Sequence, residues 1–208
     1  MKERISKITQ RWFLCEEALF VVFCTHRLVE NSSIKCPIRT GKGLIEVNPT
    51  LCNDMTDIEL EEYLLVEIIR ILLKHPYERQ PEGCSNLARA LGSNCVIGDS
   101  YSLSCVDIDH PKDFRLPSKG HYEFYARAIQ KMLTKSNDNN NESGGGNNND
   151  NKSTNDLAAN WQQDELMSAQ INETIRDLHT WGSLPNNLVE QIIASTKVRV
   201  DYRKILAG

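Results

Sequence analysis

The sequence has no CxxC pair, no excess of positive charge and no apolar run long enough to cross a bilayer. Each absence excludes something. The seven cysteines, Cys15, Cys24, Cys36, Cys52, Cys84, Cys95 and Cys105, follow no paired pattern. An odd, unpatterned set argues against a disulfide framework and for reduced thiols in a cytoplasmic setting. A zinc knuckle of Cys84, Cys95, Cys105 and His110 fits no usual ligand spacing, so these cysteines read as small buried hydrophobes. The formal net charge of −4 gives no electrostatic basis for binding nucleic acid or an anionic membrane. A membrane span needs ~20 mostly apolar residues. The N-terminal apolar stretches are split by Glu16 and Glu17, and no small-residue cleavage site follows them. Gly41 and Gly43 lack the rest of a phosphate loop, and Asp99, Asp107, Asp109 and Asp113 lack the order of a calcium loop. What is left is an ordinary globular composition, 40% hydrophobic and 25% charged, in 208 residues, enough for one domain with a sizeable core.

The strongest pattern present is Thr56–His75, TDIELEEYLLVEIIRILLKH. Thr56 and Glu59 form a capping-box signature. Asp57, Glu59, Glu61 and Glu62 complement the positive end of the helix dipole, and Pro76 stops the run. Between Tyr63 and Leu73 only Glu67 and Arg70 are charged. A helix apolar on nearly all sides belongs in a core, where an unpaired carboxylate is costly. Glu67 therefore needs a partner.

Around this helix the periodicity predicts a long helix over residues 3–30 and a hairpin of Ile34–Ile38 with Leu44–Val47. Helices follow at Ser85–Val96 and His121–Leu133, separated by a loop from Gly98 to Pro117. Residues 136–156, SNDNNNESGGGNNNDNKSTND, bury too little apolar surface to offset ordering entropy and read as a disordered Asn/Gly-rich insertion. Helical pattern resumes over Leu157–Trp181 with Gly182 as its cap, then over Asn187–Ala194 and a stub at Arg203–Ala207.

In a helix, positions i and i+4 share a face, which is why His-Glu-x-x-His makes a zinc site with its Glu set to activate water. Glu67 sits in a helix of that kind, but Val66 and Arg70 occupy the two histidine positions. Val has no donor atom and Arg stays protonated.

The chain resembles the metallopeptidase-like domain that precedes a von Willebrand factor A-like domain in bacterial proteins. The N-terminal helix, the strand ending in Asn48-Pro49, and the helix from Val66-Glu67 through Arg70 to Lys74-His75-Pro76-Tyr77-Glu78-Arg79 match that family by order of features. The Asn-Ile-Ala-x-Asp-x-x-x-Asn pattern of its next helix matches Asn86-Leu87-Ala88-Arg89-Ala90-Leu91-Gly92-Ser93-Asn94. Trp181-Gly182-Ser183-Leu184-Pro185 and Val200–Leu206 are similar to its C-terminal stretches. The resemblance implies a zincin-like helical core, zinc as cofactor, Glu67 as the retained general-base position, and metal ligands at the positions of Val66, Arg70 and Ala90. All three ligands are replaced here, so zinc is judged lost.

The expected fold is mainly α with a small β-hairpin, a single domain. It comprises a helical core over 1–135, the insertion over 136–156, and C-terminal helices over 157–208 that end before a von Willebrand factor A-like domain. The expected function is that of a catalytically inactive module, structural or protein-interacting. Its implied partners are that domain, in cis or in trans, and a MoxR-type AAA+ ATPase. The alternative is a metal-dependent peptidase or hydrolase with an unconventional site. Glu67 is expected to pair with Arg70, with Arg89 or Asn94 nearby, as a structural polar centre. An altered metal site using Glu67 and His75, or a surface Glu67, are the other readings. His75 itself is expected at the helix end, facing away from Val66 and Arg70. His26 and His179 are expected on amphipathic helices with no special role.

Overall fold

The N-terminal stripe forms two helices, α1 (Lys2–Cys15) and α2 (Glu17–Cys24), broken at Glu16 (φ −129°, ψ 63°). This corrects the single helix expected over 3–30. Glu16 leaves the helical conformation and its carboxylate accepts the Ser183 N–H at 2.8 Å. The last residues of that stretch are strand β1 (Arg27–Glu30), because β3 offers them backbone partners along one edge. The structure is a computed structural model and describes residues 1–139 and 148–196. The expected stub at 203–207 and the family-like stretch at 200–206 lie outside them.

Strands β2 (Ile38–Gly41) and β3 (Leu44–Val47) form the hairpin, one strand shifted toward the turn from the expected Ile34–Ile38. Only the β2 register places Arg39 opposite Glu46 and Thr40 opposite Ile45. Strand β1 joins β3 in parallel, giving a three-stranded sheet of order β1-β3-β2. A one-turn helix, α3 (Pro49–Cys52), is capped by Asn48, whose Oδ1 accepts the N–H groups of Thr50 and Leu51.

Helix α4 (Asp57–Leu72) carries the predicted capping box at Thr56 and Glu59. Leu60, Leu64, Ile68, Ile69, Ile71 and Leu72 are fully buried in it. It packs against α1, α2 and β2, so the helix lies at the centre of the core. Its end comes earlier than expected. Lys74 adopts left-handed backbone (φ 59°) and turns the chain back on itself, where a glycine is the usual choice. The buried Lys74 ammonium is held by Asn172 Oδ1 (2.7 Å), the Ser195 carbonyl (2.6 Å) and Glu78 Oε1 (3.2 Å).

Helix α5 (Asn86–Ser100) starts at the Ser85 cap and packs closely on α6 (Tyr122–Asn139). Gly92 makes this approach possible: a Cβ there would lie 2.7 Å from the Ala126 nitrogen. Between them, the loop after α5 contains only a 3-10 turn at Pro111–Phe114.

Part of the stretch expected to be disordered is helical. Helix α6 runs to Asn139, and α7 (Asn148–Leu157) lies against α5 and β2. Composition misleads here because its last residues supply the anchors. Asp156 accepts the Lys35 N–H (2.6 Å) and Arg39 Nη1 (2.7 Å). Residues 140–147 lie outside the described residues.

The helix expected over Leu157–Trp181 is likewise divided. Residues after α7 turn toward the sheet, where Trp161 Nε1 donates to the Thr40 carbonyl at 3.0 Å. The N–H groups of Gln162 and Asp164 bond to Pro76 and Tyr77. These tertiary bonds override helical propensity, and α8 (Glu165–Arg176) begins only after the Asp164 cap. Gly182 has left-handed backbone (φ 59°) but lies beyond the end of α8 and does not cap it. Helix α9 (Asn186–Thr196) follows. The fold is therefore mainly helical with a small three-stranded sheet, in one compact domain. No described helix is long and apolar enough to cross a membrane.

Candidate functional site: a buried ionic network at Glu67 and Arg70

Glu67 and Arg70 project from one face of α4 and are 3% and 1% exposed. Their i, i+3 spacing brings Arg70 Nε to Glu67 Oε1 at 3.0 Å. The second carboxylate oxygen, Oε2, accepts the Thr40 hydroxyl from β2 at 2.8 Å. The remaining guanidinium nitrogens reach α5: Nη1 donates to Ser93 Oγ, and Nη2 to Asn94 Oδ1 at 2.9 Å. Trp161 covers the group, its ring centroid 5.5 Å from Arg70 Cζ. Every nitrogen of Arg70 and both oxygens of Glu67 are thus bonded, the condition under which a buried ion pair is tolerated.

The network extends in two directions. Asn94 Nδ2 donates to Asp109 Oδ2 at 2.8 Å. Burial raises the pKa of Asp109, against the lowering effect of that hydrogen bond. Ser93 Oγ lies 2.7 Å from His75 Nδ1, and the His75 ring stacks on Tyr122 with centroids 4.4 Å apart. Burial, then the charges of Arg70 and Arg79, push the His75 pKa well below 6.5.

His75 is a correction. Continuing the helix through residue 75 puts its side chain away from Arg70. The helix instead stops at Leu72, and the left-handed Lys74 brings His75 back against α5.

His26 also departs from expectation, lying after α2 rather than on a helix. The Thr25 hydroxyl donates to the Val22 carbonyl at 2.7 Å, so its oxygen accepts from His26 Nδ1, also at 2.7 Å. His26 Nε2 then takes the Tyr77 hydroxyl proton at 2.6 Å. The ring is neutral, and burial lowers its pKa to about 4 against the opposing backbone contact at Val22.

Of the positions singled out in sequence, Val66, Glu67, Arg70 and Asn94 border one cleft of about 540 Å3, which Tyr63 and Asp109 also line. Helix α7 closes one side through Ser153 and Thr154. Ala90 is fully buried one turn before Asn94, on the same face of α5. Arg89 is not bonded to Glu67; its Nε is buried with no hydrogen-bond partner. Thr40, Ser93 and Trp161 were not legible as site residues. Only Ser93 left a trace, as the neighbour of Asn94 on the face that Ala90 begins.

The donor set does not fit zinc. Val66 and Ala90 have no donor atom, and Arg70 places a positive charge, fixed by its hydrogen bonds to Glu67, Ser93 and Asn94, at the third position. Among the described residues no group of three or more His, Cys, Asp or Glu side chains is placed to hold a metal ion. Of the cysteines considered for a zinc knuckle, Cys84 and Cys95 are buried and Cys105 is exposed. Compared with known proteins, the chain matches no family model, no curated protein and no solved structure.

Proposed function

We propose that the chain is a catalytically inactive, zincin-like module that serves as a structural or protein-interaction domain. Its partner is a von Willebrand factor A-like domain, in cis or in trans, within a system that includes a MoxR-type AAA+ ATPase. The partner assignment rests on the sequence resemblance. The loss of activity rests on one observation: Arg70, at a position where the resemblance implies a zinc ligand, binds the carboxylate that the peptidase mechanism would need free. With Oε1 held by Arg70 and Oε2 by Thr40, Glu67 has no activated water to serve and acts as an anchor for the core.

Metal analysis of two proteins purified without chelator tests the reading. The native chain is expected to carry no stoichiometric zinc, and the V66H/R70H/A90D variant, which restores the ligand set, is expected to bind zinc one to one. A folded triple variant that fails to bind zinc contradicts the zincin-like geometry. Stoichiometric zinc in the native chain that disappears in Glu67→Gln overturns the inactive assignment and favours a hydrolase with an unconventional site.

A further inference from the structure

A second cavity, of about 450 Å3, lies among the turn after α4, α6, α8 and α9. That volume is in the usual range for small-ligand pockets. The cavity shares no lining residue with the cleft over Glu67, but the bond between Ser93 and His75 connects it to the ionic network.

Counting protons along that connection fixes the state of His75. Arg70 has only donors, so Ser93 Oγ accepts from Nη1. The single hydroxyl proton of Ser93 then goes to His75 Nδ1, its remaining partner among the described residues. A neutral imidazole that accepts at Nδ1 carries its proton on Nε2. His75 is 6% exposed and forms part of the cavity wall. Among the described residues its Nε2 has no hydrogen-bond acceptor. The chain thus holds an N–H donor, oriented by a relay from Arg70, that opens onto the cavity with no acceptor among the described residues.

Gln191, Ser195 and Thr196 of the wall are hydrogen-bonded within the fold, but other donors of the wall are not used up. Asn172 gives its Oδ1 to Lys74, leaving its amide N–H groups without an acceptor among the described residues. Arg79, which lines the cavity, pairs through Nε with Glu123, which does not line it. Arg176 has no ion-pair partner among them. The one carboxylate of the wall, Glu78, is paired with Lys74. Leu73, Val96 and the Tyr122 ring supply apolar surface beside these donors.

We propose that this cavity binds a small organic oxyanion, a carboxylate or phosphate carried on an apolar or aromatic group, with His75 Nε2, Arg79 and Arg176 as its donors. The site shares no lining residue with the cleft over Glu67, and its anion binding does not depend on whether zinc was lost there, so its failure would leave the proposed function untouched, and the reverse.

The test is a titration of the full chain with benzoate, phenyl phosphate and, as the charge-reversed control, benzamidine. It is followed by calorimetry and by 15N–1H spectra of the histidine rings. Free protein is expected to show His75 as the Nε2–H tautomer. Benzoate or phenyl phosphate is expected to bind and shift that resonance, and whichever binds tighter identifies the oxyanion. Benzamidine is expected not to bind. Arg176→Gln, at an exposed position that does not threaten folding, is expected to weaken binding about tenfold, the loss of one charge-assisted contact. An Nδ1–H tautomer, no binding of either anion, equal binding of benzamidine, or unchanged affinity in Arg176→Gln would each overturn the proposal.

Discussion

Glu67 and Glu46 are both buried carboxylates bonded to an arginine, and they are built in opposite ways. Glu67–Arg70 lies within one helix, with side chains 4% and 1% exposed. Its further partners come from β2 and α5, so the pair joins three elements of the core. Glu46–Arg39 crosses the hairpin at directly opposed positions, with side chains 9% and 12% exposed. Glu46 also accepts from Asn31 and Asn160, each at 2.6 Å, and Arg39 reaches Asp156 at 2.7 Å. Burial alone would raise the pKa of Glu46, but hydrogen bonds from Arg39, Asn31 and Asn160 bring it below 4.5. The helical pair supplies its own counter-charge and holds the centre of the fold. The strand pair is a clamp that fastens the chain after the Asn-rich stretch onto the sheet.

The largest effect is expected at the first pair. Arg70→Met leaves Glu67 buried without a counter-charge and should cost about 3–5 kcal/mol in denaturant unfolding. A loss no larger than that of Arg39→Met would erase the distinction between the two pairs.

The difference also explains what was legible. An i, i+3 pair in an apolar helix announces itself in sequence, because spacing alone puts both groups on one face. Glu59 with Thr56 and the Asn48 cap are local signals of the same sort. Glu46–Arg39 depends on the hairpin register, which shifts from the expected one, and on Asp156 and Asn160, which arrive from a segment whose composition argues for disorder. Strand β1 was missed because its apolar residues, Leu28 and Val29, continue the helical stripe, and only pairing with β3 decides its conformation. His75 was misplaced by a single backbone reversal at Lys74. The centre of the site was therefore readable from local spacing, and its outer partners were not, because long-range contacts select them.

A buried neutral contact offers the next contrast. His26 is held neutral with a pKa lowered from 6.5 to about 4, and His75 is displaced the same way. A folded-state pKa below the unfolded one means the unfolded chain gains the proton first as pH falls. Stability is therefore fully present above about pH 6.5 and is lost on acidification toward the folded pKa. The loss from His26 should reach up to about 3 kcal/mol between pH 6.5 and 4. Glu46 adds to it only below its ordinary range near 4.5. Denaturation midpoints across this range should fall, and His26→Gln should flatten the upper part of the slope.

At the strand pair, Arg39→Met is expected to cost about 2 kcal/mol, since Glu46 keeps its two asparagine donors. Limited proteolysis should then cut more readily near Asp156, with the α4 core still protected. An unchanged cleavage pattern would remove the clamp from the account. The smallest effect is expected at the exposed capping box: Thr56→Ala should lower stability by about 1 kcal/mol, measured by thermal or chemical unfolding.

Central to this core is the pairing of Arg70 with Glu67, which holds the carboxylate there. A double-mutant cycle of Glu67→Gln and Arg70→Met measures it most directly. Each single variant leaves a polar or charged group buried without its partner, whereas the double variant removes both charges. The double variant is therefore expected to be more stable than Arg70→Met alone, with a coupling energy of about 2 kcal/mol or more between the two sites. Additive losses, with no coupling, would mean that Arg70 does not hold Glu67 in the core and would contradict the account.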